Sequence, residues 1–95
     1  MTEHKIAETT AAETGIDLSE FVRIGDQVIN FANHNNNDLG SPRGVMLATL
    51  YGIARYGAYL TRSVPPADRE ARIADLADRF AAMMREHYGD PRLMG

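Results

Sequence analysis

Residues 42–63 read PRGVMLATLYGIARYGAYLTRS, and this stretch decides the fold. At 3.6 residues per turn it forms a helix that is apolar around most of its circumference. Ser41 and Pro42 define its start, because serine caps a first turn and proline is tolerated at the first helical position. Pro65 and Pro66 follow its end, since the residue before a proline is pushed out of the helical conformation.

Two amphipathic helices flank this central helix, at residues 17–34 and 66–88. In each of them apolar residues recur every three or four positions and occupy one half of the circumference. No stretch shows the alternation of a β-strand. The sequence therefore predicts an all-α, three-helix antiparallel domain over residues 17–95, with helices at about 17–34, 42–63 and 66–88. Residues 1–16 are rich in Thr, Ala and Glu, which predicts a disordered N-terminal tail.

The central helix needs more cover than a chain of 95 residues can give it. Each flanking helix is apolar over half of its circumference, so the two together can cover two sides of the central helix. The central helix, however, requires cover over about two-thirds of its circumference. Small residues would let a further helix approach it closely. They are Ala48, Gly52, Ala54, Gly57 and Ala58. We therefore expect a homodimer, paired through helix 42–63 into a four- or six-helix bundle.

Composition and charge narrow the classes of function. The net charge is −3, and nine Arg stand against ten acidic residues beyond residue 16, so no broad basic surface is available for nucleic acid. The apolar run 45–60 is shorter than the roughly 20 residues that span a bilayer, and Arg55 lies within it. We therefore expect no membrane association. Cysteine is absent and the N-terminus has no secretory signal, which together indicate a cytoplasmic protein.

One polar stripe interrupts the apolar central helix. It consists of Tyr51, Arg55, Tyr59 and Arg62. Spacings of three and four residues place these side chains on one helical face, where an Arg guanidinium can lie against a Tyr ring. One interpretation is a clamp for an anion, because arginine donates paired hydrogen bonds to phosphate or carboxylate. The other is structural packing of Arg55, or an ion pair with an acid on a neighbouring helix. The candidate acids are Asp26, Asp75 and Asp78.

No other pattern predicts chemistry. The run 33–38 begins like a calcium-binding loop, but Asp38 stands where such a loop needs glycine and Gly44 where it needs glutamate. The three histidines lack partners at metal-ligand spacing, and neither a catalytic nucleophile nor a phosphate-binding loop is recognisable. We therefore expect no metal, no cofactor and no catalysis, but a self-associating structural or interaction module. The alternative is a protein or enzyme that binds a small anion around Arg55 and its neighbouring tyrosines.

Three segments of the chain are typical of a known family. They are VINFAN at 28–33, LYGIARYGAY at 50–59 and FAAMM at 80–84. In this order and spacing they resemble a small bacterial family catalogued as domain of unknown function 3144. The family has no assigned activity. The resemblance therefore implies a compact helical bacterial domain and adds no chemistry.

Overall fold

The computed structural model describes residues 5–94, and that range is all-α, as the sequence predicts. Four longer helices are followed by a short C-terminal helical turn. Their bounds are α1 Lys5–Thr14, α2 Leu18–Leu39, α3 Pro42–Leu60, α4 Pro66–Tyr88 and α5 Pro91–Met94. None of the helices within residues 5–94 combines the length and apolarity needed to cross a membrane.

The prediction of three helices is wrong by one, because α1 forms within the segment 1–16. Residues 1–4 lie outside the described range. Helix α1 is only weakly amphipathic, so hydrophobic periodicity gives little signal for it. Alanine and glutamate favour the helix locally. The helix packs against α2, its Ala11 is buried, and it makes polar contacts with α4. The division into a disordered tail and a domain at residue 16 stays a prediction.

Helix α2 continues to Leu39, beyond the predicted range 17–34. The asparagine run stays helical because each Asn costs less than about 1 kcal/mol in a helix, and Asn35 donates a side-chain hydrogen bond of 2.8 Å to the preceding turn. The helix ends at Gly40, whose φ of +67° is left-handed and free of steric cost for glycine. The Gly40 N–H closes the last turn by donating to the Asn36 carbonyl over 2.7 Å.

Helix α3 starts where the sequence predicts and ends at Leu60, before the predicted end at residue 63. The Ser41 Oγ accepts a hydrogen bond from the Gly44 N–H over 3.3 Å, so serine caps the helix as expected. A turn closed between Thr61 and Val64 replaces the last predicted helical residues. The proline after this turn cannot continue the helix. Helix α4 has the predicted bounds.

Helix α2 is the element against which both α1 and α3 pack. The connection Gly40–Ser41 brings α3 back against α2, and α1 also touches α4. Leu76 of α4 reaches over Gly57 of α3, where an added methyl group would lie 3.6 Å from Leu76 Cδ2. No Cα atom of α4 lies within 8 Å of a Cα atom of α2 or α3. The space between these three helices is therefore open.

Few side chains are buried in this arrangement. Among residues 5–92 only Ala11 and Val45 are, and most apolar side chains of α2, α3 and α4 are exposed. The accessible surface is 7621 Å², whereas a compact monomer of 10.5 kDa exposes about 5,400 Å². The radius of gyration is 14.9 Å, against about 12.4 Å for a compact chain of this length. The helices thus surround a space that the chain itself does not fill.

Two polar contacts attach α1 to α4. At the start of α1 the Ile6 N–H donates to both carboxylate oxygens of Glu86, each over 3.1 Å. Near its end Glu13 accepts from Arg79 over 2.6 Å, and Arg79 also binds Asp75 of its own helix. The hydrogen bond and the charge of Arg79 hold the pKa of Glu13 below its ordinary value. The contact therefore persists above that lowered pKa and is lost as acidification protonates Glu13.

Arg79→Ala should release the end of α1, because the link from Glu13 to α4 is lost. Amide hydrogen exchange of residues 10–14 should become faster at pH 7 than in the wild type. Arg23→Ala is the matched control, since Arg23 pairs with Glu20 over 2.7 Å within α2 alone. Equal exchange rates of α1 in the two variants would contradict a role of Arg79 in holding this helix.

Gly40→Ala should destabilise the fold by about 1 kcal/mol, because a residue with a Cβ adopts a left-handed φ only at a steric cost. Gly40→Asn should cost less, since asparagine tolerates this conformation. Urea unfolding followed by circular dichroism gives both free energies of unfolding. An alanine variant as stable as the wild type would show that the end of α2 does not depend on the glycine.

Candidate functional site: an open apolar groove

An open groove of about 380 Å³ lies between α2, α3 and α4. Carbon atoms form nearly all of its surface, and each of the three helices contributes part of the wall. The lining residues are Val28, Ile29, Ala32, Asn33 and Asn36 from α2, Pro42, Val45, Met46, Thr49, Leu50 and Ile53 from α3, and Phe80 and Met84 from α4.

The groove follows from the spacing of apolar residues along each helix. In α3, Met46, Leu50 and Ile53 are separated by four and three residues, so they form one row along the helix. Phe80 and Met84 form a corresponding row in α4. In a closed bundle such rows interlock with those of other helices. In this chain the side chains of both rows remain exposed, and their exposed fractions range from 37% at Leu50 to 53% at Met46.

Three polar side chains also line the groove. Thr49 is satisfied, because its Oγ1 donates to the Val45 carbonyl over 2.8 Å. Asn33 makes no side-chain hydrogen bond with any part of the described chain. Asn36 Oδ1 is enclosed by protein atoms and accepts no hydrogen bond. An enclosed carbonyl oxygen without a donor costs about 1–3 kcal/mol, so the groove contains one polar atom whose bonding requirement is unmet.

The Tyr–Arg stripe that the sequence singles out forms two separate pairs. The Arg55 guanidinium lies 5.8 Å from the centre of the Tyr51 ring, and its Nη1 is 3.4 Å from the Tyr51 hydroxyl. Arg62 lies closer to its own partner, 3.9 Å from the centre of the Tyr59 ring. Its Nη1 also donates to the Tyr59 carbonyl over 3.0 Å. Both are cation–π contacts on an exposed surface.

Neither arginine of the stripe pairs with a carboxylate among residues 5–94. Of the three acids proposed from the sequence, Asp75 binds Arg79 over 2.9 Å. Asp26 and Asp78 make no ion pair within the same range. The helical period places the stripe on the side of α3 opposite Met46, and none of its four residues lines the groove. Its role in ligand binding stays a prediction.

The asparagine run at the end of α2 offers no metal site in the described chain. Its residues continue the helix instead of forming a loop, and His34 lies 3.8 Å from Asp38 one turn further on. No group of three His, Asp or Glu side chains within residues 5–94 is placed to hold a metal ion.

A smaller groove of about 250 Å³ lies at the junction of α2 and α3. It is lined by Phe31, Asn35, Leu39, Ser41, Gly44, Val45, Ala48 and Thr49.

Sequence reasoning points to the stripe and misses the groove. The sequence does contain one signal of the groove, which is the rows of apolar residues at three- and four-residue spacing. The clearest row consists of Met46, Leu50 and Ile53. The same rows would line the closed core of any helical bundle, so the sequence alone does not distinguish a groove from a core. The distance of α4 from α2 and α3 turns these rows into an open groove.

A family model described as protein of unknown function (DUF3144) matches residues 21–91. The match covers more than half of the chain, so the chain belongs to this family, and the resemblance seen in three segments is confirmed. The matched region contains α3, α4 and nearly all of α2, and therefore the whole groove, whereas α1 precedes it. Searches of curated proteins and of solved structures give no match.

Proposed function

We propose that this member of the DUF3144 family is a non-enzymatic, self-associating module, and that a second copy covers the groove in a homodimer. The single observation that carries the proposal is the excess of exposed surface. The accessible area of 7621 Å² exceeds that of a compact monomer by about 2,200 Å². If two copies covered all of this excess they would bury about 4,400 Å² in total, which is an upper bound, and obligate homodimers bury roughly 2,000–5,000 Å².

The chemistry of the exposed surface supports the same partner. The groove is apolar on all three helices, and leaving apolar area in water costs about 25 cal/mol per Å². The interfaces of permanent homodimers have this apolar character, because they resemble a protein core divided between two chains. In addition, α3 contains no acidic residue, so two copies can approach along its apolar row without burying a carboxylate.

Helix α3 lies at the centre of the proposed interface, as the sequence predicts. On the groove side Ile53 is 48% exposed and Leu60 is 52% exposed. The small residue Gly57 lies in the same row, where the absence of a side chain lowers the helix surface and admits Leu76. A second copy would complete the cover that α2 and α4 begin.

Multi-angle light scattering tests the proposal directly. At micromolar concentration the particle should have twice the chain mass of 10.5 kDa, because the excess apolar surface is then shared between two chains. The melting temperature should also rise with protein concentration, as it does when folding and association are coupled. A particle of one chain mass with a concentration-independent melting temperature would contradict the proposal.

Ile53→Glu should weaken the dimer at least roughly 100-fold, because a carboxylate in an apolar interface loses its hydration without gaining a partner. Tyr51→Glu is the matched control. It introduces the same charge two residues away on the opposite face of α3, where Tyr51 is 64% exposed, and should change the dissociation constant by less than about threefold. Sedimentation equilibrium measures both constants. Equal weakening by the two substitutions would exclude the groove side of α3 as the interface.

The second candidate function is the binding of a small anion, by a binding protein or an enzyme, at the Tyr–Arg stripe. The observation that favours it is that the guanidinium groups of Arg55 and Arg62 lie against tyrosine rings and have no carboxylate partner within residues 5–94. Their remaining N–H groups are therefore available to phosphate or carboxylate.

Titration with inorganic phosphate, followed by amide chemical shifts, tests this second candidate. Shifts should centre on residues 51–62 and should disappear in Arg55→Ala, while the particle mass and the melting temperature stay unchanged. Arg43→Ala removes a cation of the same helix outside the stripe and should leave the shifts in place. If Arg55→Ala lowers the melting temperature and phosphate produces no shifts, the stripe is structural.

A further inference from the structure

We infer that helix α1 is a spacer that keeps the groove open for the second copy, and that α4 closes over α2 and α3 when α1 leaves its place. The inference rests on the proposed function, since it concerns how the access of a second copy to the groove is controlled. It makes α4 and the second copy alternative covers for one apolar surface.

The first observation is the position of α1. Of the helices α1, α2 and α3, only α1 has Cα atoms within 8 Å of Cα atoms of α4 in the described chain. The same helix packs against α2, with Ala11 buried. None of its residues lines the groove. Helix α1 thus bridges α2 and α4 and keeps the two helices apart without filling the space between them.

The second observation is how α4 is attached. Near its start the Arg69 Nε donates to the Val64 carbonyl over 3.0 Å, which fixes this end of α4 to the turn after α3. In its second half the attachments are to α1, at Arg79 and at Glu86. This second half also contains the groove residues of α4, which are Phe80 and Met84. A movement of α4 about its fixed start would therefore carry them towards α2 and α3.

The third observation is the row of apolar residues along α4. Its members have spacings of three, four and four, and each is between 46% and 56% exposed; they are Ile73, Leu76, Phe80 and Met84. Such a row packs into matching rows of neighbouring helices when they are close enough. Exposed ion pairs contribute little to stability, so the contact of Arg79 with Glu13 does not by itself oppose closure. The bulk of α1 between α4 and α2 opposes it.

Helix α1 is also well suited to leave its place. It has ten residues and one buried side chain, and helices of this length are marginal when they are not supported by packing. Segments with so few buried contacts open locally while the rest of a fold persists. Because α1 precedes the region that the family model matches, its departure leaves that region intact. The closed chain then has no groove to offer a second copy and is monomeric.

Ala11→Asp tests the inference in the full-length chain. Ala11 is 2% exposed, so a carboxylate at this position would lose its hydration and displaces α1 from α2. The dissociation constant of the dimer should rise at least roughly tenfold, because α4 then covers the surface that the second copy needs. Sedimentation equilibrium measures the constant, and circular dichroism confirms that the longer helices persist.

Ala12→Asp is the matched control, because Ala12 is the next residue of the same helix and is exposed. It adds the same charge and should change the dissociation constant by less than about threefold. Ala11→Pro is a second variant at the buried position. It interrupts α1 without adding a charge and should weaken the dimer as Ala11→Asp does.

Spin labels measure the closure itself. The chain has no cysteine, so labels can be attached specifically at Leu47→Cys on α3 and Tyr88→Cys on α4. Both positions are exposed and line neither groove. An excess of unlabelled chain restricts the measured distances to labels within one chain. The distance between the labels should become shorter in Ala11→Asp and Ala11→Pro and should stay unchanged in Ala12→Asp.

The outcomes separate this inference from the proposed function. A wild-type dimer in which the Ala11 variants leave either the dissociation constant or the label distance unchanged overturns the inference and leaves self-association standing. A longer distance has the same meaning, since α4 then loosens instead of closing. A wild-type monomer at all concentrations overturns both. A weaker dimer with a shorter label distance, confined to the two Ala11 variants, supports both.

Discussion

The structure depends on one constraint, which is that α4 reaches α3 at Leu76 and Gly57 but has no Cα atom within 8 Å of a Cα atom of α2 or α3. Helix α4 follows a turn that ends at Pro65, and it contacts α3 where Leu76 covers Gly57. Helix α1 contacts the middle and the C-terminal part of α4, where Arg79 donates to Glu13 and Glu86 accepts from the Ile6 N–H. The apolar faces are consequently oriented towards one another without closing. The large surface area, the large radius of gyration and the groove all agree with this open arrangement.

The all-α class and the bounds of α4 could be predicted from the sequence, because capping residues, prolines and a 3.6-residue period act locally. The end of α2 could not, since it depends on competition between mildly unfavourable asparagines and one left-handed glycine, Gly40. Helix α1 was missed for a different reason. It packs against α2 and also contacts α4, at 66 positions' separation for Glu13 with Arg79 and 80 for Ile6 with Glu86, and no local pattern encodes such contacts.

The candidate site was predictable only in part. The stripe around Arg55 is evident from residue types, and the structure pairs its arginines with its tyrosines as the spacing indicates. The groove and Asn36 require the third dimension, because a row of apolar residues has the same sequence whether it faces a core or an opening. The sequence did indicate that α3 needs more cover than one chain provides, and the exposed surface agrees with that physical argument.

The attachment of α1 gives the chain two parts that respond in opposite ways to ionic strength. Contacts such as Arg79 with Glu13 are exposed, and dissolved ions screen them over about 8 Å at physiological concentration. The apolar surfaces of α2, α3 and α4 are insensitive to such screening, and salts such as sulfate favour their burial. Rising salt thus weakens the ion pair between α1 and α4 while it favours burial of the apolar surfaces within the family region.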